Sequence, residues 1–369
     1  MKISVPLYQS GYKVVSIALD EQTKDDLLSE DVKFWYVCGD KITEYPEENF
    51  ITNAETVISD FMSCHNYDVF EIGENGTAFR CYDNSSTENL FFVTGKCNSN
   101  CIICPSPEYM RRKGEPANID SLIDIAGHIP ANAPHITITG GEPFLAGKDI
   151  FRLLSCCKEK FIETEFLILT NGRVFSIREY SKLLCETVPE NTYIGIPIHG
   201  ATPEIHDLIT QAPGSFHQTL AGLKRLYKLG LKLELRIVVC RTNVSNIEDI
   251  AKLIIRELPN TDRVCIMAME MTGNAFKNRD EIWIPYSDSF PNVKKAIDIL
   301  VFEGINVQLF NYPLCTVDKR YWSLCAKSIS GYKVRYGENC CQCAVKDSCG
   351  GVFAGTLLLE RADLNPVII

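Results

Sequence analysis

From Asn89 onward the chain alternates short apolar runs of strand length with longer stretches of helical apolar spacing, six times over. Strands are read at residues 90–94, 136–139, 166–170, 193–198, 233–240 and 264–269. Helices are read at 119–129, 149–160, 176–186, 216–229 and 247–258, with a further helix near 293–302 and a strand near 305–310. Asn118 is the expected N-cap of the first helix, and Ser176 with Glu179 has the spacing of a capping box. Gly230 closes the helix before it. Units of this length force parallel strands joined by right-handed crossovers. The expected class is α/β: a partial (β/α) barrel or a doubly wound sheet, both of which gather chemistry at the C-terminal ends of their strands. Residues 1–88 are read as a β-rich, irregular region, with runs at 14–19, 32–37 and 69–72.

The cysteine content is out of proportion to everything else. The 369 residues are 46% hydrophobic and 23% charged, as in ordinary globular proteins, yet 17 are cysteine. The count is odd and the N-terminus does not read as an export signal, so a secreted disulfide framework is excluded and a cytoplasmic protein is expected. No apolar run is long enough for a membrane span. A net charge of −10 argues against a broad nucleic-acid surface and suits a basic peptide partner better. In a reducing compartment, clustered cysteines mean metal and scattered ones mean small buried hydrophobes. Cys38, Cys64, Cys81, Cys156, Cys157, Cys185, Cys240 and Cys265 fall in the scattered class.

The first cluster, Cys97, Cys101 and Cys104, has the spacing C-x3-C-x2-C directly after a strand. Three thiolates on one loop can hold three corners of a [4Fe–4S] cubane, leaving the fourth iron open to a small chelating molecule. A zinc site is the alternative, but it would draw a fourth Cys or His from nearby, and the nearest histidines are His65 and His128. One strand later stands Gly140-Gly141-Glu142-Pro143. Glycines at a strand end let backbone approach a ligand closely, here the amine and carboxylate of an amino acid, with Glu142 facing the amine. An ordinary tight turn is the competing reading. At the tail, Cys340, Cys343 and Cys349 have the spacing C-x2-C-x5-C, and Cys315 precedes them. Four thiolates close the coordination of one cluster, or of one zinc ion. Glu270 and His199 end the sixth and fourth strands, where they either face the cavity or cap the barrel.

These motifs together resemble the radical S-adenosylmethionine (SAM) superfamily. The resemblance implies a partial (β/α)6 TIM-like barrel with a small C-terminal Fe–S domain. It also implies SAM chelated by the open iron and cleaved to a 5′-deoxyadenosyl radical, which takes a hydrogen atom from the substrate. By the same resemblance Gly140, Gly141, Glu142 and Pro143 line the methionine amine and Ile103 lies near the adenine. Asn171, in Thr170-Asn171-Gly172, joins the cofactor set, as does His199. The segments IPIHG (196–200), His206-Asp207 and GSF (214–216) resemble the peptide-modifying branch. Two positions depart from that branch: Pro197 replaces a serine for the SAM ribose, and Thr210 replaces an arginine for its carboxylate. Arg236 is the expected substitute.

The resemblance runs from about residue 89 to the C-terminus and is most specific to the His-Xaa-Ser system radical SAM maturase, C component. TGGEP (139–143), TNGR (170–173), AME (268–270), NYPLC (311–315), SIS (328–330) and the tail cysteines carry it. It implies a ribosomally made precursor peptide of His-Xaa-Ser type, a partner maturase, and an electron donor such as flavodoxin or ferredoxin. It further implies a SPASM- or twitch-like tail with one auxiliary [4Fe–4S] cluster on Cys315, Cys340, Cys343 and Cys349. Cys325 and Cys341 are left over; Cys325, with Glu270, is the candidate catalytic residue, against the reading of both cysteines as buried structural thiols. The expected division is 1–88 for peptide binding, 89–310 for the barrel and 311–369 for the auxiliary domain. A non-catalytic iron–sulfur electron carrier and a zinc-stabilised binding module are the competing functions.

Overall fold

The computed structural model describes residues 1–5, 13–360 and 364–368. Two large sheets divide the chain between them. The first holds β1 (Lys2–Ser4), β2 (Lys13–Ala18), β3 (Phe34–Cys38), β4 (Lys41–Tyr45), β5 (Asn49–Thr52), β6 (Val69–Ile72) and β7 (Thr77–Tyr82), in the order β1-β7-β6-β2-β3-β4-β5. Only β2 and β3 pair in parallel, and helix α1 (Glu21–Ser29) crosses between them. Asp20 caps α1 by accepting from Thr23 N at 2.8 Å. Leu27 of α1 packs with Phe34 and Tyr36. A second helix, α2 (Glu55–Met62), puts Val57, Ile58 and Phe61 against Val15, Ile17, Trp35 and Phe70. This region is β-rich, as expected, and its seven-stranded sheet carries two helices besides.

The second sheet follows the alternation read from the sequence. Its strands are β8 (Leu90–Phe92), β9 (His135–Thr139), β10 (Glu165–Leu169), β11 (Thr192–Pro197), β12 (Lys232–Val238), β13 (Arg263–Met267), β14 (Asn306–Phe310) and β15 (Cys325–Ala326). They lie in strict sequence order, and every neighbouring pair is parallel. A sheet whose each new strand lands beside the last winds in one direction, the topology of a barrel left open between β8 and β15. The six expected strands are therefore present, and β14 and β15 extend the sheet beyond them.

Helices α3 (Glu108–Lys113) and α4 (Ile119–His128) connect β8 to β9, and α5 (Ile150–Lys160) and α6 (Arg178–Thr187) follow the next two strands. After β11 come α7 (Pro203–Thr210) and α8 (Ser215–Lys228), and after β12 comes α9 (Ile247–Glu257). The short α10 (Gly273–Lys277) and α11 (Arg279–Ile282) and the long α12 (Tyr286–Phe302) lie between β13 and β14. Strand alternation sends Leu233, Leu235 and Ile237 into the layer shared with these helices, each burying fully and contributing roughly 1.5–3 kcal/mol. Glu234, Arg236 and Val238 fall on the opposite face. Ser16 Oγ of β2 donates to His128 O at the end of α4 (3.1 Å), joining the two sheets' layers. The tail adds the hairpin β16 (Val334–Arg335) and β17 (Val352–Phe353), then α13 (Ala354–Glu360). Among the described residues no helix is long and apolar enough to cross a membrane.

Candidate active site

The loop after β8 carries Cys97, Cys101 and Cys104, all free thiols. Elements distant in sequence fix its backbone. At the end of α7, Thr210 O and Ile209 O accept from Asn100 N (3.1 Å) and Ile102 N (2.9 Å). Beyond β13, Ala275 N donates to Cys104 O (3.1 Å), Asn274 Nδ2 to Cys101 O (3.1 Å) and Asn278 Nδ2 to Ile102 O (3.0 Å). Arg173 Nη1 donates to Asn98 O (2.8 Å) and Ser99 Oγ (3.2 Å). Arg111 on α3, 5% exposed, donates to Ser106 O and to Asn100 Oδ1. Burial pushes the Cys97 thiol up to about 11 and the Cys101 thiol up to about 12, so binding metal there releases protons.

A single ion and a cluster make different demands on the thiols. A single tetrahedral zinc at about 2.3 Å from each sulfur would bring the sulfurs within roughly 4 Å of one another. Among the described residues, the only three Cys, His, Asp or Glu ligand atoms within 4.8 Å of one another belong to His65, Asp68 and Asp83. In that cluster Arg80 pairs with Asp68 (3.0 Å) and Asp83 (2.6 Å). No three cysteine sulfurs among the described residues lie within 4.8 Å of one another. A cubane would bond each thiolate to a different iron.

The GGEP turn serves the loop more directly than expected. A Cβ on Gly140 would stand 2.4 Å from Thr94 O, and one on Gly141 would stand 2.2 Å from Lys96 O. The glycines thus let the strand bearing the cysteines lie against the next, with Gly141 N donating to Thr94 O (2.7 Å) and Glu142 N to Lys96 O (2.8 Å). The carbonyls of Gly140 and Gly141 accept no hydrogen bond among the described residues. The Glu142 side chain is fully engaged within the protein: it accepts from Thr170 Oγ1 (2.7 Å), Asn171 N (2.7 Å) and Phe144 N (3.1 Å). Burial still pushes its carboxyl above the ordinary range. Pro143 opens the 3-10 turn that follows. Asn171 Nδ2 closes the network by donating to Asn98 Oδ1 (2.7 Å).

Other expected residues divide by location. Ile103 is buried with Ile209, Met269 and Met271 in a small apolar cluster beside the loop. His199 is 4% exposed, its N–H donates to His206 Nδ1 (3.2 Å), and the two rings lie 5.7 Å apart. Burial holds His199 down to about 3 and His206 down to about 4, so both are neutral. Thr210, beside the loop, bonds Ser215 Oγ, while Asp207 accepts from Gly214 N, Ser215 Oγ and Phe216 N to cap α8. Arg236 lies mid-strand, level with Pro197 and Cys265, and pairs with Glu234 (2.8 Å), which also holds Arg263 (2.7 Å). Glu270 pairs with Lys333 of the tail (3.3 Å).

The tail cysteines converge. Cys315, Cys340, Cys343 and Cys349 line one cavity with Leu314, Tyr336, Val352 and Leu364. Backbone amides point at two of the sulfurs: Leu314 N and Gly351 N donate to Cys349 Sγ, and Val367 N to Cys343 Sγ, all at 3.4 Å. Cys325 stands on β15, its thiol pushed up to about 12 by burial and then by Cys349. Cys341 is exposed. Arg111, Asn274 and Asn278 are site residues that sequence reasoning missed, and Arg173, read there only as part of TNGR, also grips the loop.

A one-way parallel sheet thus presents three cysteines at a strand's end, braced by a GGEP turn. Residues 91–254 match the Radical SAM superfamily. The chain is 26% identical over 168 residues to the AdoMet-dependent heme synthase of Nitratidesulfovibrio vulgaris (44% of this chain, 42% of that protein). It is 30% identical over 166 residues to the antilisterial bacteriocin subtilosin biosynthesis protein AlbA of Bacillus subtilis (44% of this chain, 35% of that protein). The crystal structure of Streptococcus suis SuiB bound to precursor peptide SuiA shares the fold, with a TM-score of 0.50 at 15% identity over 61% of this chain and 48% of that one. The chain spans less than half the length of each of these relatives.

Proposed function

We propose that this protein uses its radical SAM centre to remove a hydrogen atom from a ribosomally synthesised peptide, as the first step of a post-translational modification. The observation that carries the reading is the tail cavity, which four cysteines line together and where two of their sulfurs receive three amide hydrogen bonds. Amide donors stabilise cluster-bound thiolates, so an auxiliary [4Fe–4S] cluster on Cys315, Cys340, Cys343 and Cys349 is the group this donor set suits. The similarity to AlbA supports a peptide substrate. In this reading residues 1–88 receive the peptide, 89–310 form the catalytic barrel and 311–369 hold the second cluster. A His-Xaa-Ser repeat precursor, a partner maturase and a flavodoxin- or ferredoxin-type donor complete it.

Cys97, Cys101 and Cys104 would hold the catalytic cluster, which when bound would supply the electron for reductive SAM cleavage and so the radical chemistry that removes a substrate hydrogen. Because the Glu142 carboxylate is occupied, the free carbonyls of Gly140 and Gly141 become the acceptors for the methionine amine. Ile103, Met269 and Met271 offer an apolar surface beside the loop, suited to the adenine and to excluding water. Glu270 and Cys325 remain the proposed polar and hydrogen-donating groups toward the substrate, and His199 and Arg236 the proposed further SAM contacts.

The test is anaerobic reconstitution with iron and sulfide, then SAM, dithionite and a peptide made with deuterium at candidate positions. Formation of 5′-deoxyadenosine carrying deuterium from the peptide is the expected result. No 5′-deoxyadenosine at all would leave an electron carrier or a zinc module. Deuterium transfer from an iron porphyrin instead would favour the tetrapyrrole chemistry named for the heme-synthase relative.

A further inference from the structure

Arg111 is a buried cation without an acidic partner. Its side chain is 5% exposed, and among the described residues its guanidinium reaches only neutral acceptors, Ser106 O and Asn100 Oδ1. Its Nε is buried with no acceptor among the described residues. Glu108, the acidic residue of the same helix, is turned elsewhere, to Arg112 (2.8 Å) and Lys277 (3.6 Å). Burying a charge against neutral groups alone is costly, so a compensating negative charge belongs nearby. The contacts say where. Asn100 and Ser106 bracket Cys101 and Cys104, and Cys97 N donates to the carbonyl of Arg111 itself (3.4 Å). Three thiolates around a [4Fe–4S]2+ core leave one net negative charge, and the electron from a low-potential donor makes it two.

We propose that Arg111 is the built-in countercharge of the cluster on Cys97, Cys101 and Cys104 and raises that cluster's reduction potential. The inference rests on the radical SAM reading. A fixed positive charge in a low-dielectric surround favours the more negative, reduced form of the cluster, easing entry of the electron that the chemistry needs. Arg111 is a positioning residue in addition, since its fork fixes the loop; charge and fork are separable by substitution.

Wild-type, Arg111→Gln and Arg111→Lys proteins, reconstituted anaerobically, are titrated with reductant and followed by electron paramagnetic resonance. The signal that changes on adding SAM identifies the cluster with the open iron. The expected result is a midpoint shifted to more negative potential in Arg111→Gln at unchanged iron content, with Arg111→Lys close to wild type. Equal midpoints in wild type and Arg111→Gln would overturn the proposal. So would a shift as large in Arg111→Lys, because the fork and not the charge would then be responsible. If Arg111→Gln fails to load the cluster, loading in Arg111→Lys supports the countercharge and failure there overturns it. A wild-type protein with no SAM-sensitive signal would sink the radical SAM reading itself, a separate outcome.

Discussion

Glu142 shows how a motif residue can act on the protein before it acts on any ligand. Its two carboxylate oxygens accept from one hydroxyl and two backbone amides while 2% exposed. In Glu142→Gln the amide nitrogen replaces one acceptor, leaving the Asn171 or Phe144 N–H facing a donor. An unsatisfied buried donor costs about 1–3 kcal/mol, so the variant should unfold at lower denaturant with its slope unchanged. The histidine pair makes a pH prediction. The folded His206 sits at about 4, below its ordinary 6.5, because burial disfavours the charged ring. Between those values the unfolded chain binds more protons than the folded one, so stability falls as pH drops through that window, by up to about 1.4 kcal/mol per pH unit. Asn at position 206 offers an oxygen to His199 N without titrating. His206→Asn should therefore show a shallower loss of stability between pH 6.5 and 4 in urea titrations. Parallel curves for the two proteins would refute it.

At the scale of elements, the contact between β8 and β9 at their C-terminal ends depends on a missing side chain. A Cβ at position 141 would lie 2.2 Å from Lys96 O and 2.6 Å from Gly95 O, both rigid backbone atoms. Gly141→Ala should push the cysteine loop off the GGEP turn and lower cluster content per chain. Gly147→Ala, where nothing lies within 4 Å, isolates the effect of the extra methyl in the same region, though its left-handed backbone makes some general destabilisation expected there too. Loss of iron confined to Gly141→Ala is the discriminating result. The strands themselves were legible because parallel strands covered on both faces read as unbroken apolar runs, so 166–170 in the sequence became Glu165–Leu169 in the fold. The capping box was not. Ser176 ends a 3-10 turn, α6 begins at Arg178 after Ile177, and Glu179 reaches Lys148 (2.6 Å) instead. Helix α1 escaped notice because it buries only Thr23 and Leu27, too little for a periodic signal. In the site, cysteine spacing is local and readable. The Asn274–Cys101 and Arg173–Asn98 contacts bridge segments far apart in sequence and become visible only once β13 and β10 lie beside the loop.

For the whole molecule the question is why a tail with its own thiols is tied to the catalytic end of the barrel. Thr356 Oγ1 of α13 donates to Met269 O (3.0 Å), a Cβ on Gly355 would stand 2.1 Å from Met271 O, and Lys333 pairs with Glu270. Met269 and Met271 in turn pack with Ile103. The tail is thus continuous in packing with the cysteine loop, while its own cysteines stand apart in their cavity. If that cavity holds a closed cubane, its loss should leave the first cluster in place. Reconstituted wild-type protein should bind about eight irons per chain, and a variant with Cys340, Cys343 and Cys349 changed to Ala about four, still supporting SAM cleavage by dithionite. About four irons in wild type with one zinc per chain would instead assign the tail to zinc. Unchanged iron in the variant would remove these residues from metal binding altogether.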